Sequence, residues 1–351
     1  STKLLIDCGM FQGSENAAKA NSAIFAFNPS SINALLVTHA HLDHSGRIPK
    51  LVRDGFRNAI YTTKPSADLM KLIWEDTVHI MNYEHKKTGA PILFDENDKL
   101  HADALLNGVD YEEKFRVGDI ECCFHEAGHI LGSAWLEIIA EGKSIVFSGD
   151  LGNVGVPVVH EKTPYDGSDV LVIEATYGDS VHEAPKGRVE QLKKILTETI
   201  EAGGVLMIPA FSLERTQELL YELNYLIDEC KCIAPVPIFL DSPLSIRATD
   251  VYKKFSYLFD KEALRQLETD DDLFNFTGLR KTLSSEESKT INDVPAPKII
   301  ISGNGMLSGG RILHHLIRYL SDPKSTLLLV SYQAPGTLGH SIKEGAKSVK
   351  I

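Results

Sequence analysis

The chain has 351 residues, of which 43% are hydrophobic and 24% are charged, and its formal net charge is −12. This length and composition are ordinary for a soluble globular protein of one large or two ordinary domains. The negative charge argues against broad electrostatic binding of nucleic acid. No apolar run reaches the length of a membrane span, and no signal peptide is visible. The odd number of cysteines, without zinc-finger spacing, favours the reducing cytoplasm.

The first half of the chain alternates apolar strands with polar loops. Hydrophobic runs predict strands at Leu4–Asp7, Ala34–Val37, Asn58–Thr62, Val117–Phe124, Trp135–Ile139, Ser144–Phe147 and Asp169–Ile173. A short helix ending near Gly55 and a long helix over Pro65–His85 are also predicted. Several of these strands are followed directly by an acid or a histidine, which is a common way to build a site on a rigid scaffold.

The second half alternates strands and helices regularly. Helices are predicted over Lys186–Ala202, Leu213–Leu226, from Leu244 onward and over Arg311–Leu320, and strands at Val205–Ile208, Val236–Leu240, Ile299–Ser302 and Thr326–Ser331. The acidic stretch 260–295 is expected to be helix, loop and linker. Such alternation predicts a mostly parallel sheet with helices on its faces.

The most informative stretch follows the strand that ends at Val37. It reads Thr-His-Ala-His-Leu-Asp-His-Ser-Gly over residues 38–46, so the spacing is His-x-His-x-Asp-His. Neutral imidazoles and a carboxylate are the ligands that zinc prefers in catalytic centres. The pattern therefore predicts a metal-binding loop.

This loop resembles the metal-binding motif of the metallo-β-lactamase superfamily. Further motifs of that superfamily follow in the right order, with Asp7 in the first, His129 in the third and Asp150 in the fourth. Several short motifs in one order are far more specific than any of them alone.

The motifs after Asp150 resemble the β-CASP branch, which processes nucleic acids and includes RNase J and the pre-mRNA 3′-end-processing endonuclease. They lie at Val172–Gly178, Pro209–Arg215, Asp241–Leu244, Ser302–Arg311 and Tyr332–Gly339. The resemblance implies an α/β fold, with an αββα metallo-β-lactamase domain over residues 1–178. It places an inserted α/β β-CASP domain, a mostly parallel sheet flanked by helices, over residues 179–351.

The resemblance also implies a site for two zinc ions. His39, His41 and His129 would bind one zinc, Asp43 and His44 would bind the second, and Asp150 would bridge them. Two metals about 3.5–4 Å apart activate water and neutralise phosphate charge, so a metal-bound hydroxide would attack phosphorus.

Other residues take supporting roles in this interpretation. Asp43 is counted as catalytic as well as ligating, and Asp7 is expected to orient a histidine ligand. Glu174 would position a downstream histidine that assists departure of the leaving group.

The substrate-binding residues are expected in the second domain. Ser212 and Arg215 at a helix start suit a phosphate, although an N-cap serine with a solvated arginine is an equal alternative. Gly303 and Gly305 would let backbone approach the substrate closely or simply form turns.

Two family motifs, a Ser-Ala-His and a His-Gly-Glu stretch, do not occur in the sequence. The chain also begins at Ser1, without a methionine, on what should be an internal strand. We therefore expect the chain to be truncated at both ends.

The predicted function is a zinc-dependent ribonuclease of RNA processing or decay that cuts single-stranded RNA endonucleolytically, with 5′→3′ exonuclease activity as a second mode. Two alternatives stay open, namely a hydrolase of small esters or thioesters and a non-catalytic RNA-binding subunit. The expected location is the cytoplasm, without membrane contact. The oligomeric state stays open, and a homodimer is one alternative.

Overall fold

The structure, a computed structural model, describes residues 2–12, 16–179 and 187–351. The chain forms two compact units, Ser1–His182 and Glu183–Ile351. The segment 180–186 that joins them lies outside the described residues, so the boundary predicted after residue 178 stays a prediction.

Two sheets form the first unit. One is a parallel sheet of adjacent strands in chain order, β1 (Leu4–Ile6), β2 (Ala34–Leu36), β3 (Ile60–Thr63) and β4 (Leu106–Val109). The other sheet consists, also in chain order, of β5 (Phe115–Val117), β6 (Ile120–Glu126), β7 (Ala134–Ala140), β8 (Lys143–Phe147) and β9 (Val170–Val172). Its strand pairs are antiparallel, except that β8 and β9 are parallel.

The two sheets share a hydrophobic core. Leu36 of β2 packs with Phe124 of β6 and Leu136 of β7, and all three side chains are fully buried. Burial of this apolar surface is the main force that holds the sheets face to face. The helices of this unit are α1 (Ala17–Ser22), α2 (Leu42–Ser45), α3 (Ile48–Arg53), α4 (Lys64–Thr88) and α5 (Glu96–Asp103).

Local sequence signals set the ends of the longest helix, α4. The Thr63 side chain accepts a hydrogen bond from the backbone N–H of Ser66, and Pro65 lies in the first turn, where its missing N–H costs nothing. The helix ends at Gly89, whose φ of 75° is the left-handed conformation that glycine adopts readily.

One parallel sheet forms the second unit. Its spatial order is β12-β11-β13-β10-β14, with β10 (Val205–Pro209), β11 (Ile238–Leu240), β12 (Leu279–Lys281), β13 (Lys298–Ser302) and β14 (Thr326–Leu327). Its helices are α6 (Arg188–Glu201), α7 (Arg215–Asn224), α8 (Pro243–Lys254), α9 (Lys261–Gln266), α10 (Ser285–Thr290), α11 (Ile312–Tyr319) and α12 (Leu338–Lys343). The predicted α/β class and the parallel sheet of the second half are confirmed.

Three details of the predicted strands are wrong. The run Val117–Phe124 is two strands, because a turn at Gly118, with φ of 60°, separates β5 from β6. Strand β12 lies inside the stretch expected to hold no strand; two of its three residues are basic, so it shows no apolar pattern. The strand predicted at Thr326–Ser331 ends at Leu327.

Candidate metal centre

The predicted metal loop begins where strands β1 and β2 end side by side. Their parallel pairing brings Asp7 and Thr38 to the same edge of the sheet. Asp7 Oδ1 accepts a hydrogen bond from the Thr38 backbone N–H over 2.8 Å, and Oδ2 accepts one from Thr38 Oγ1 over 2.9 Å. Asp7 has φ of 56°, a conformation that aspartate tolerates better than most residues. Its carboxylate therefore fixes the start of the loop.

The segment after Asp7 clamps the loop through its backbone. Cys8 N donates to His44 O over 2.7 Å, and Met10 N donates to Leu42 O over 2.9 Å. A Cβ atom on Gly9 would lie 1.4 Å from the carbonyl oxygen of Asp43. Only glycine allows this approach, so the Asp7-Cys8-Gly9 motif serves the geometry of the loop.

Four predicted ligands converge in the first unit. Nδ1 of His41 lies 3.1 Å from Nε2 of His39 and 3.1 Å from Nε2 of His129. Oδ2 of Asp150 lies 3.8 Å from the His39 nitrogen and 3.6 Å from the His129 nitrogen. One donor atom from each of the four side chains lies within 4.8 Å of all the others. We call this group the four-residue cluster.

The loop that carries His129 is held from two sides. Ser133 Oγ accepts a hydrogen bond from the His129 backbone N–H over 3.0 Å. A Cβ atom on Gly152 would lie 1.5 Å from the carbonyl oxygen of Gly128. Gly152 belongs to the Asp150 motif, so the loops of the third and fourth motifs pack directly on each other.

Glu174 supports the Asp150 loop. Its Oε1 accepts a hydrogen bond from Leu151 N over 2.7 Å, and its Oε2 accepts one from Thr176 N over 3.2 Å. Its own N–H donates to Ser148 Oγ over 3.0 Å. The carboxylate thus ties the end of β9 to the residue that follows Asp150.

His44 links the four-residue cluster to Asp7. Its Nδ1 lies 2.7 Å from Asp7 Oδ2, and its Nε2 lies 3.2 Å from Asp150 Oδ1. Each oxygen of Asp150 therefore faces a different set of histidines, which is the arrangement a bridging ligand needs. Asp43 is exposed on the first turn of α2 and is not a member of the four-residue cluster.

Burial sets the protonation of these histidines. It lowers the pKa of His39 well below the ordinary value, with a further contribution from His44, and it lowers the pKa values of His41 and His129 to about 4. Burial also opposes the charge on His44, but its hydrogen bonds to Asp150 and Asp7 raise that pKa to about 10. At neutral pH, the cluster thus offers three neutral imidazoles.

The chemistry of this donor set fits a divalent metal ion. Three imidazole nitrogens and a carboxylate oxygen converge, and in the neutral state their lone pairs face one another with too few protons to pair them all. A cation among these atoms would satisfy the lone pairs, and His-rich sets of this kind hold catalytic metals. The residues present therefore fit the group that the sequence implies.

The residues predicted to bind substrate lie in the second unit, and three of the four come together. Ser212 follows β10 and Gly303 follows β13, a neighbouring parallel strand. A Cβ atom on Gly303 would lie 3.8 Å from Ser212 Oγ, and one on Gly305 would lie 3.1 Å from Phe211 N. Ligands of open α/β sheets bind at this carboxyl edge of the strands.

Arg215 has a different environment from its predicted one. Its guanidinium pairs with the buried carboxylate of Glu218, which also lies 3.3 Å from Arg188 Nη1. Helix α7 begins at Arg215 with Glu214 at the capping position, so Ser212 is not its N-cap. Arg215 thus neutralises a buried acid inside its own unit.

Sequence reasoning recognised the Asp241 motif but gave it no role. The carboxylate of Asp241 is fully buried and accepts hydrogen bonds from Arg311 and Thr282 on Oδ1 and from His315 and Ser288 on Oδ2, over 2.7–2.8 Å. It joins β11 to the helix that follows the glycine-rich loop.

Gln333 braces the other side of that loop. Its Nε2 donates to Gly305 O over 2.9 Å. The Asp241 and Gln333 motifs therefore hold the backbone around Gly303 and Gly305 in place. The signal in the sequence was their occurrence as short motifs at strand ends.

An aromatic pocket beside Asp7 and Asp43 was missed altogether. Its cavity measures about 310 Å³, and its lining includes Phe11, Phe25 and Arg47. The Arg47 guanidinium lies 4.8 Å from the Phe11 ring centroid and 5.1 Å from that of Phe25. Phenylalanines spaced around a metal loop were the only signal in the sequence, and such residues are more often part of a core.

Two facing sheets with a histidine- and aspartate-rich metal centre at their loop edge define a metal-dependent hydrolase of the metallo-β-lactamase type. Family comparison agrees, since residues 2–200 match the beta-lactamase superfamily domain and residues 216–342 match the Beta-Casp domain. The chain belongs to the β-CASP nuclease branch of the metallo-β-lactamase superfamily.

The relatives of the chain agree with this assignment. It is 38% identical to a ribonuclease of Thermus thermophilus, over 99% of this chain and 78% of the relative. It is 36% identical to an RNase J-like protein of Methanocaldococcus jannaschii, over 99% of this chain and 76% of the relative. The chain is also 33% identical to a transcription termination factor of Methanosarcina mazei. That match covers 100% of this chain and 55% of the relative.

Among the helices of the described residues, none combines the length and the apolar character that crossing a bilayer requires.

Proposed function

We propose that the chain is a zinc-dependent ribonuclease that hydrolyses phosphodiester bonds of single-stranded RNA. The observation that carries the proposal is the convergence of His39, His41, His129 and Asp150 within 4.8 Å. The ribonuclease and RNase J-like names of two relatives support RNA as the substrate.

The residues divide into two proposed metal positions. His39, His41 and His129 would hold one zinc, while Asp43 and His44 would hold a second, with Asp150 shared between them through its two oxygens. When bound, the metals would polarise the phosphoryl group and make a water molecule acidic enough to lose its proton near neutral pH.

The protein residues contribute orientation. Asp7 accepts from Nδ1 of His44 over 2.7 Å, and Nε2 of His44 faces Asp150. Once a metal displaces the proton from Nε2, Asp7 would hold the remaining proton on Nδ1. Glu174 holds the backbone after Asp150 through Leu151 N. Both carboxylates therefore act through another residue, and we assign them positioning roles.

We infer that the aromatic pocket takes a nucleobase of the substrate. The Arg47 guanidinium lies over the Phe11 and Phe25 rings, and this group of planar side chains offers surfaces on which a base can stack. Stacking tolerates any base sequence. It also does not depend on overall charge, which reconciles RNA binding with a net charge of −12.

The loops around Ser212, Gly303 and Gly305 are the proposed second contact with RNA. Close backbone approach at the two glycines and the Ser212 hydroxyl suit a phosphate or ribose oxygen. Arg215 is left out of this role because it pairs with Glu218.

The test is cleavage of a single-stranded RNA labelled at either end. We expect wild-type chain to cut it, a chelator to abolish cutting and added zinc to restore it. Asp150→Asn should cut at least about 100-fold more slowly, whereas the exposed Asp166→Asn should cut normally. Internal products report endonuclease activity and mononucleotides report exonuclease activity. Turnover of a thioester without RNA cleavage, or RNA binding without cleavage, would overturn the proposal.

A further inference from the structure

A second group of metal-capable side chains lies on the other face of the β5–β9 sheet. Cys123 and His125 are two residues apart on β6, so they project from the same face. Their partners across the antiparallel ladder are Glu137 and Trp135 on β7. The alternate residue Phe124 points the opposite way, into the core between the two sheets.

Glu112 completes the group from the segment between β4 and β5. Its backbone N–H donates to Phe124 O over 2.9 Å, which fixes it beside β6. Its Oε2 lies 2.7 Å from His125 Nδ1. Donor atoms of Glu112, Cys123 and His125 all lie within 4.8 Å of one another.

The His125 ring is fixed by stacking, but its nitrogens have no hydrogen-bond partner within the described residues. Trp135 stacks on it with the ring centroids 3.8 Å apart and the planes at 16°. Both ring nitrogens are buried, and neither makes a hydrogen bond within the described residues, since the close approach of Glu112 lacks hydrogen-bond geometry. A cation beside Nδ1 would satisfy both that nitrogen and the carboxylate.

The opposite edge of the ring supports the same conclusion. Glu137 Oε2 lies 3.6 Å from His125 Nε2. With a cation bound at Nδ1, the ring would carry its proton on Nε2, where it faces this carboxylate. Metal-binding histidines are commonly oriented by a carboxylate in this way.

We propose that Glu112, Cys123 and His125 form a second metal site that binds zinc or a similar thiophilic divalent ion. A thiolate, an imidazole and a carboxylate are all zinc ligands, and three protein donors leave a fourth tetrahedral position for water. The Cys123 thiol gives its proton to solvent as the metal enters. The Glu112 side chain is 55% exposed, so the ion has a route from solvent.

This site shares no residue with the four-residue cluster. It nevertheless lies on the strand that leads to the His129 loop, because His125 is near the end of β6 (Ile120–Glu126). A metal that ties Glu112 to β6 would stiffen the strand from which that loop departs.

Cobalt is the probe for the test, because cobalt bound to a thiolate absorbs in the near ultraviolet and the four-residue cluster contains no cysteine. Metal-free protein is titrated with Co²⁺, and wild type should develop the sulfur-to-cobalt band. Cys123→Ser should lose the band, together with one equivalent of bound metal by elemental analysis.

The adjacent cysteine supplies a matched control. Cys122 is buried on the opposite face of β6, so Cys122→Ser should keep the band. Glu112→Gln, at a side chain that is 55% exposed, should weaken cobalt binding at least about 10-fold. A wild type without the band, or a band that survives in Cys123→Ser, would overturn the second site and leave the ribonuclease proposal untouched.

Discussion

The carboxylate of Asp7 lies 2.7 Å from Nδ1 of His44, although 37 positions separate the two residues in the chain. The same carboxylate accepts two hydrogen bonds from Thr38, at the start of the metal loop. One side chain therefore fixes both ends of the loop. Metal ligands need such support, because a loop alone does not hold imidazoles within the fraction of an ångström that coordination demands.

Asp7→Asn should reduce the affinity for the zinc ion proposed at Asp43 and His44. Asparagine keeps the shape and tolerates the positive φ, but its amide cannot reproduce the charge that orients His44. We expect about a 10- to 100-fold loss in metal affinity with normal folding. Zinc titration of metal-free protein measures it, and Asp166→Asn is the control. Unchanged affinity would show that Asp7 is only a turn residue.

Glu174→Gln should slow RNA cleavage without removing metal. The glutamine carbonyl oxygen can accept a hydrogen bond from only one of the two backbone N–H groups, Leu151 N or Thr176 N. The glutamine NH₂ group then faces the other N–H, so one hydrogen bond is replaced by repulsion between two donors. The Asp150 loop should loosen and kcat should fall about 10-fold, while KM stays near wild type. A large fall in bound zinc would instead make Glu174 part of the metal site itself.

Phe25→Leu should weaken RNA binding at the aromatic pocket. Stacking of one base on an aromatic ring contributes about 1–3 kcal/mol, so KM for a short RNA should rise about 5- to 150-fold with little change in kcat. Tyr257→Leu, at an aromatic side chain of the second unit that is 60% exposed, is the control. Equal KM values for the two variants would remove the pocket from the substrate path.

Asp241→Asn should destabilise the second unit. The substitution leaves Arg311 beside a neutral group, and breaking a buried ion pair costs about 3–5 kcal/mol. Hydrogen exchange of the β11 and β13 amides should therefore become faster, with Asp250→Asn as control. Exchange at the wild-type rate would contradict the structural role of Asp241.

The same carboxylate predicts a pH dependence. Burial alone would raise its pKa, but hydrogen bonds from His315, Thr282 and Arg311 lower the pKa to about 2, against an ordinary value of 3.8. The folded state therefore binds fewer protons than the unfolded state, and the stabilisation is present above about pH 4 and lost as the pH falls toward 2. Wild-type protection of these amides should fall through that range, whereas Asp241→Asn should respond less.

Much of the first unit could be predicted from the sequence. Apolar runs located most of the strands, and the spacing of His39 and His41 indicated a metal-binding loop. The resemblance to the metallo-β-lactamase superfamily added His129 and Asp150 to the same site. Apolar runs and the spacing within one loop are local signals, so they are visible in the sequence without knowledge of the fold.

The remainder depends on contacts that the sequence does not encode locally. The pairing of Arg215 with Glu218 follows from which face of α7 is buried, and the basic strand β12 forms because it lies at the edge of a sheet. The aromatic pocket and the group around Cys123 bring together distant segments whose residue types are also common in cores.

X-ray diffraction above and below the zinc absorption edge, from crystals of the zinc-loaded chain, would locate the metal bound by the four-residue cluster. The account predicts an anomalous peak among His39 Nε2, His41 Nδ1, His129 Nε2 and Asp150 Oδ2. Zinc bound elsewhere, with no peak inside the four-residue cluster, would contradict it.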